Sequence, residues 1–151
     1  TQEEWPALKP KYGGMPFVTM ADGSELTEAM PISRMIALEN GQYPEDPLQG
    51  YENDRLMNIY YDLFNAMTGP MLGGDKNKIA VMAMMTLRPF LVSIEGRLGK
   101  SKWLVGDKIT MIDFWVGAMV CDKLMNDSND LNPIFSKVVT EKDFPNFLRY
   151  A

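Results

Sequence analysis

The sequence predicts a mixed α+β, mostly α chain in which a short β-hairpin and helix precede a domain built of helices alone. Three observations carry this prediction. Asp22-Gly23 separates two short apolar segments, a polar proline-bearing stretch runs from Tyr43 to Gly50, and Thr110 opens an uncharged apolar run. An Asp-Gly pair between alternating segments marks a tight hairpin turn. Apolar residues recurring at helical spacing on the far side of the stretch mark amphipathic and buried helices.

Taken in order, Met15 to Leu26 reads as a strand, a turn and a second strand. From Pro31 the spacing becomes helical, with Ile32, Met35, Ile36 and Leu38 on one side and a stop at Asn40-Gly41. Residues 1–43 are therefore read as one domain, 44–50 as a linker and 51–151 as an all-helical domain. Helices are predicted from Tyr51 to about Met67, from Lys76 to Leu98 and from Thr110 to about Asn126. Pro89 should kink or restart the second near Arg88. The third has a complete start. Thr110 is a good N-cap, Asp113 can return a hydrogen bond to the Thr110 N–H, and Ile109 and Phe114 occupy the positions of a hydrophobic staple. Phe114 to Cys121 is apolar or small on every face, which predicts a helix inside the bundle.

At 151 residues the chain can bury a real core, and 46% apolar with 23% charged is ordinary globular composition. A net charge of −5 with scattered Lys and Arg argues against nucleic acid as a partner. No uncharged stretch approaches the ~20 residues of a membrane span, so none is expected. The single cysteine, Cys121, excludes an internal disulfide and makes a reducing compartment the default. Its apolar surroundings predict an inert buried thiol. The absence of histidine removes the commonest general base and zinc ligand, and no metal site is expected. Met82, Met84 and Met85 read as core filler.

Two segments are more specific: Tyr12-Gly13-Gly14-Met15-Pro16-Phe17-Val18 through Ala37, and Trp103-Leu104-Val105-Gly106-Asp107 through Asp113. With Glu4-Trp5-Pro6-Ala7-Leu8-Lys9-Pro10 ahead of the hairpin, the chain resembles the cytosolic glutathione transferases of the alpha, mu, pi and sigma classes. The resemblance implies a partial thioredoxin-like N-terminal domain followed by the family's all-helical domain. It implies glutathione as substrate, a small apolar electrophile as its acceptor, a homodimer and a cytoplasmic detoxifying role without a metal. Pro16 would form a cis peptide that exposes the Met15 backbone to the tripeptide, although a proline that merely starts an edge strand reads the same way. Trp5 and Lys9 match the donors to the glycyl carboxylate; without the resemblance they are a surface aromatic and a solvated lysine. Glu28 and Ala29 fall at the helix N-terminus that receives the γ-glutamyl carboxylate.

Several positions depart from the family. Ala29 replaces a serine, Gly14 replaces a polar side chain, and Asn58 stands where an acidic residue reaches the partner subunit's glutathione. The family's first strand and helix, which carry the thiolate-stabilising Tyr, Ser or Cys, find no match, so no catalytic residue is assigned. Phe144-Pro145-Asn146-Phe147-Leu148 resembles the opening of a penultimate helix, and the chain is expected to be an interior part of a longer protein. Tyr12 matches the aromatic key of the family dimer, with Tyr60, Tyr61, Phe64 and Phe90 either in the interface or in the chain's own core. The alternative to a working transferase is a catalytically impaired subunit with a structural or ligand-binding role in a larger assembly.

Overall fold

The computed structural model describes residues 15–151. The chain divides into two compact units, Thr1–Tyr43 and Pro44–Ala151. In the first, β1 (Phe17–Thr19) and β2 (Glu25–Thr27) pair antiparallel, with Phe17 opposite Thr27 and Thr19 opposite Glu25. Gly23 takes the left-handed φ of 84° that the turn needs, and Asp22 Oδ1 accepts from the Ser24 N–H at 2.9 Å. The hairpin is the expected one. Helix α1 (Ala29–Glu39) starts two residues ahead of Pro31, because a first-turn proline gives up only an N–H that has no partner inside the helix.

The second unit is all helical. Helix α2 (Pro47–Leu72) is capped by Asp46, whose Oδ1 accepts from the Gln49 N–H at 2.9 Å, so Pro47 to Gly50, expected as linker, form its first turn. Helix α3 (Lys76–Met82) begins on Asp75, which accepts from the N–H groups of Asn77 and Lys78. It runs through a π-helical turn, Ala83–Leu87, into α4 (Arg88–Leu98). The wide turn lies directly before Pro89, whose ring would otherwise crowd the carbonyl one turn back, and so accounts for the irregularity expected near Arg88. Helix α5 (Met111–Met119) continues into a second π-helical turn, Val120–Leu124. Two short helices follow, α6 (Asn132–Val138) and α7 (Pro145–Tyr150), of which α6 had not been predicted.

The core of this unit is contributed by every helix. Leu56, Met57 and Leu63 of α2 are buried with Ile79, Leu87, Leu91 and Ile94, with Ile112 and Val116, and with Phe135 and Phe147. Three expectations about burial are corrected. Cys121 is exposed, Met84 and Met85 are 51% and 72% exposed, and Phe114 is 48% exposed. Phe114, Ala118 and Cys121 are spaced i, i+4, i+7 and form an open stripe on α5 that its apolar composition concealed. The staple partners Ile109 and Phe114 are accordingly only partly covered.

Asp113 joins the elements around α5. Its Oδ2 accepts from the Thr110 N–H at 2.8 Å and from Thr110 Oγ1 at 3.0 Å, which closes the expected return hydrogen bond. Its Oδ1 accepts from the Leu104 N–H and the Tyr150 hydroxyl, both at 3.0 Å. Asn53, fully buried on α2, accepts from the Ile112 N–H at 3.3 Å and so satisfies another first-turn donor of α5. Glu95 of α4 caps α7 in the same manner, taking the N–H groups of Asn146 and Phe147 at 2.9 and 2.8 Å.

One helical run, Lys76–Leu98, is long and apolar enough to cross a membrane by length and composition alone, with mean hydropathy 1.4 over its best eighteen residues. Arg88 interrupts the run, so no single uncharged stretch marks it in the sequence. Within the unit the charged side chains toward its end are bound to other helices and to the turn before α7. Arg88 bonds Asp143 at 3.1 Å, Arg97 bonds Glu52, and Glu95 holds α7.

Two outcomes follow for stability. Asp113→Ala should cost roughly 3 kcal/mol, because the Leu104 and Thr110 N–H groups lose their acceptor in the interior. Tyr150→Phe should cost about 1 kcal/mol alone and less when Asp113 is already Ala; equal losses in the two backgrounds on urea unfolding would refute the coupling. The second outcome concerns acid. Hydrogen bonds from Arg88 hold Asp143, and bonds from Arg55 and then Arg97 hold Glu52, below the usual carboxylate range. Their contribution is present above the unfolded-state values near about pH 4 and is lost as pH falls through the depressed folded ones. Urea midpoints should decline below about pH 4, and less steeply in Arg88→Met and Arg97→Met.

Candidate functional site

The hairpin register gathers four of the expected residues at one end. Phe17 pairs with Thr27, so Pro16, just before the first strand, and Glu28, just after the second, leave the ladder side by side. The Met15–Pro16 peptide is cis, and Met15 is 73% exposed and outside the ladder. Glu28 has φ 74° and ψ 118°, a sparsely populated conformation for a residue with a Cβ. Such a residue costs roughly 1–3 kcal/mol and persists where its surroundings fix it, often at ligand-binding sites.

The consequence lies one residue further on. Glu28 is the N-cap of α1 but its side chain caps nothing, and the first main-chain bond of the helix runs from the Ile32 N–H to the Glu28 carbonyl. Pro31 has no N–H. Among the described residues the N–H groups of Ala29 and Met30 therefore have no main-chain partner at this helix N-terminus, with the partial positive charge of the helix behind them. That arrangement suits a carboxylate. The exposed Met15 main chain beside it offers an edge to an extended peptide.

Of the other expected residues, Trp5, Lys9, Tyr12 and Gly14 lie outside the described residues. Asn58 is exposed on α2. The four aromatics expected in the interface or the core separate cleanly: Tyr60 and Phe90 are 5% and 4% exposed and belong to the core, whereas Tyr61 and Phe64 are 41% and 48% exposed. Among the described residues no group of three His, Cys, Asp or Glu converges to hold a metal ion.

Sequence reasoning missed a second feature, a cavity of about 490 Å³ in the helical unit. Two facing stripes wall it. One is Tyr60, Leu63, Phe64, Met67 and Met71 on α2; the other is Trp115 and Met119 on α5 with Asp122 in the π-helical turn that follows. The α2 residues recur at i, i+3, i+4, i+7 and i+11, so the signal was present in the sequence as a helical stripe. What periodicity cannot tell is whether such a stripe meets another or leaves a hollow. The cavity falls in the usual volume range of small-molecule sites, and its wall is mostly apolar and aromatic. A further cavity of about 540 Å³ is walled by Lys100, Lys102, Arg149, Trp103 and Tyr150 and contains none of the expected site residues.

The described geometry thus comprises an anion-accepting helix start beside an exposed strand edge, and a separate apolar hollow among helices. Comparison with known proteins bears on the fold and the likeness of the sequence. No family profile matches the chain. Glutathione S-transferase 1 of Ascaris suum is 28% identical over 136 residues, covering 82% of this chain and 63% of that protein. Glutathione S-transferase 4 of Caenorhabditis elegans is 29% identical over 142 residues, covering 86% of this chain and 68% of that protein. The chain therefore spans about two thirds of the length of these relatives. The crystal structure of a nematode-specific transferase from C. elegans superposes with a TM-score of 0.71 at 24% identity, over 100% of this chain and 73% of that one. By sequence likeness and by fold, a partial thioredoxin-like domain followed by an all-helical domain, the chain is a protein like the cytosolic glutathione transferases.

Proposed function

We propose that the protein binds glutathione at the hairpin end and joins its thiolate to a small apolar electrophile received by the helical unit. The observation that carries this reading is the pair of N–H groups at Ala29 and Met30 that find no main-chain partner among the described residues, adjacent through the hairpin register to exposed Met15. In this reading the γ-glutamyl carboxylate binds the start of α1. The cysteinyl backbone pairs with Met15 beside Pro16, and Trp5 and Lys9 hold the glycyl carboxylate. Asn58 faces the γ-glutamyl amine of the partner subunit's glutathione. An amide can accept that hydrogen bond but cannot neutralise the ammonium. The group that keeps the sulfur as thiolate is not assigned to any residue of this chain.

The protein is read as a cytoplasmic homodimer with Tyr12 as its aromatic key. The single free cysteine suits a reducing compartment. Tyr61, Val81, Met84 and Met85 are large apolar residues left exposed on α2 and on the run from α3 to α4, the kind of surface that a second copy covers. Sedimentation of the full-length protein should give two copies, and Met85→Glu should shift it toward one.

Retention of the full-length protein on immobilised glutathione, followed by a chromogenic aryl-halide assay, tests the central reading. Retention with turnover is expected. Retention without turnover would leave a binding subunit in a larger assembly as the better account, and failure to be retained would end both. Ala29→Ser restores a hydroxyl next to the carboxylate, and hydrogen bonds to charged groups are worth roughly 1.5–3 kcal/mol. Glutathione should therefore bind at least about tenfold tighter by calorimetry. An unchanged affinity would remove Ala29 from the site.

A further inference from the structure

The chain carries a net charge of −5, yet three cations meet around one hollow of the helical unit. Lys100 and Lys102 follow the end of α4, and α7 brings Arg149 to the same cavity of about 540 Å³. Arg55, Lys78, Arg88, Arg97 and Lys123 each pair with a carboxylate, whereas these three pair with none among the described residues. The Asp113 carboxylate, which Tyr150 of the wall touches, is already taken up by four donors. The cations are also held in place. Arg149 donates to the Leu98 carbonyl at 3.0 Å, which orients its guanidinium and leaves its other N–H groups for a ligand. Ser101 Oγ donates to the Trp103 carbonyl at 2.6 Å and pins the turn that carries Lys102. The Lys102 ammonium stands over the Trp103 ring, 5.0 Å from its centre, and the Tyr150 ring meets Trp103 edge-on at 6.2 Å. The Trp103 indole N–H donates to no described residue.

We propose that this cavity binds a group carrying two linked phosphates, a diphosphate or bisphosphate, and that Lys100, Lys102 and Arg149 hold it. The number of charges decides the class. Three like charges around one hollow repel one another, and a ligand with two or more negative charges relieves that repulsion where a single carboxylate leaves most of it. Phosphate oxygens suit the donors present, since a guanidinium offers a planar fork, an ammonium a compact point charge and the indole one further N–H. A singly charged aromatic anion is the poorer guest. Lys102 covers a face of the Trp103 ring and Tyr150 packs against it, which leaves little ring for stacking. The site shares no lining residue with the apolar cavity, and the proposal does not rest on the transferase reading.

The test is calorimetric titration of the full-length protein with inorganic pyrophosphate in magnesium-free buffer, and with benzenesulfonate as a singly charged aromatic anion. Pyrophosphate should bind at least about tenfold tighter than benzenesulfonate, and about tenfold more weakly to the double variant Lys100→Gln, Lys102→Gln. Both lysines are exposed, and an unchanged urea midpoint without ligand checks that the variant keeps its fold. The pair Lys76→Gln, Lys137→Gln removes the same charge outside the cavity and should alter the affinity by less than about twofold. Equal weakening by the two pairs would mean that pyrophosphate answers to overall charge, and equal binding of the two anions that the cavity does not read charge number. Either result overturns the proposal, as does failure of pyrophosphate to bind. Once it binds, vesicles of phosphatidylcholine containing a bisphosphorylated inositol lipid distinguish the source of the group. Cosedimentation with them, but not with phosphatidylcholine alone, supports the proposal with a lipid headgroup as ligand; cosedimentation with neither supports it with a soluble diphosphate.

Discussion

The helical unit depends on one buried carboxylate. Asp113, only 4% exposed, receives the Thr110 N–H and hydroxyl on one oxygen and the Leu104 N–H and Tyr150 hydroxyl on the other. A charge buried without such partners would cost several kcal/mol, roughly, or surrender its charge. Here four donors replace the water that folding removed. The donors come from the loop before α5, from the α5 cap and from α7, so the group that ends one helix correctly also fixes what packs on either side. Burial and the Asp113 charge push the Tyr150 phenol far above its ordinary value, which keeps its proton available for that bond.

The run from Lys76 to Leu98 shows how the same principle works on a long apolar helix. Hydropathy alone would allow this run to leave water altogether. Its charged residues settle where it lies within the unit. Arg88 reaches Asp143 and stands over the Phe144 ring at 5.3 Å, Arg97 joins Glu52, and Glu95 supplies the missing cap of α7. Exposed ion pairs of this kind contribute little energy singly. Their value is directional, since each can be satisfied only if α7 and α2 approach α4 from particular sides, and α7 carries Tyr150 to Asp113. The polar network and the apolar core therefore specify one arrangement twice.

Legibility in the sequence followed the range of the interaction. Features set by neighbours along the chain were readable: the Asp22-Gly23 turn, the Thr110 cap with its return bond from Asp113, and the irregularity before Pro89. Features set by what lies across the bundle were not. Cys121, Met84 and Met85 look like core residues because apolar composition records a tendency to be covered, not whether a covering element is there. Pro47 looked like linker because Pro and Asp serve turns and helix starts equally well, and only the Asp46 bond to the Gln49 N–H separates the two uses. Helix α6 had a proline start of its own at Pro133 but is too short for periodicity to register. At the site, local pattern alone could not have joined Pro16 to Glu28. The resemblance named both, and the register of three residue pairs places them together.

The departures from the family pattern have a common physical sense under the transferase reading. Ala29, Gly14 and Asn58 all concern contacts to the body of the tripeptide; none would touch the sulfur. Interactions remote from the reacting atom hold ground state and transition state alike, so their loss raises KM for glutathione and leaves kcat largely alone. The cavity wall shows no comparable thinning: Leu63, Met67 and Met119 are buried in close-packed helices, and Tyr60 is braced on two sides. Under that reading, weakened contacts to the body of the tripeptide are what a protein tolerates when glutathione is plentiful.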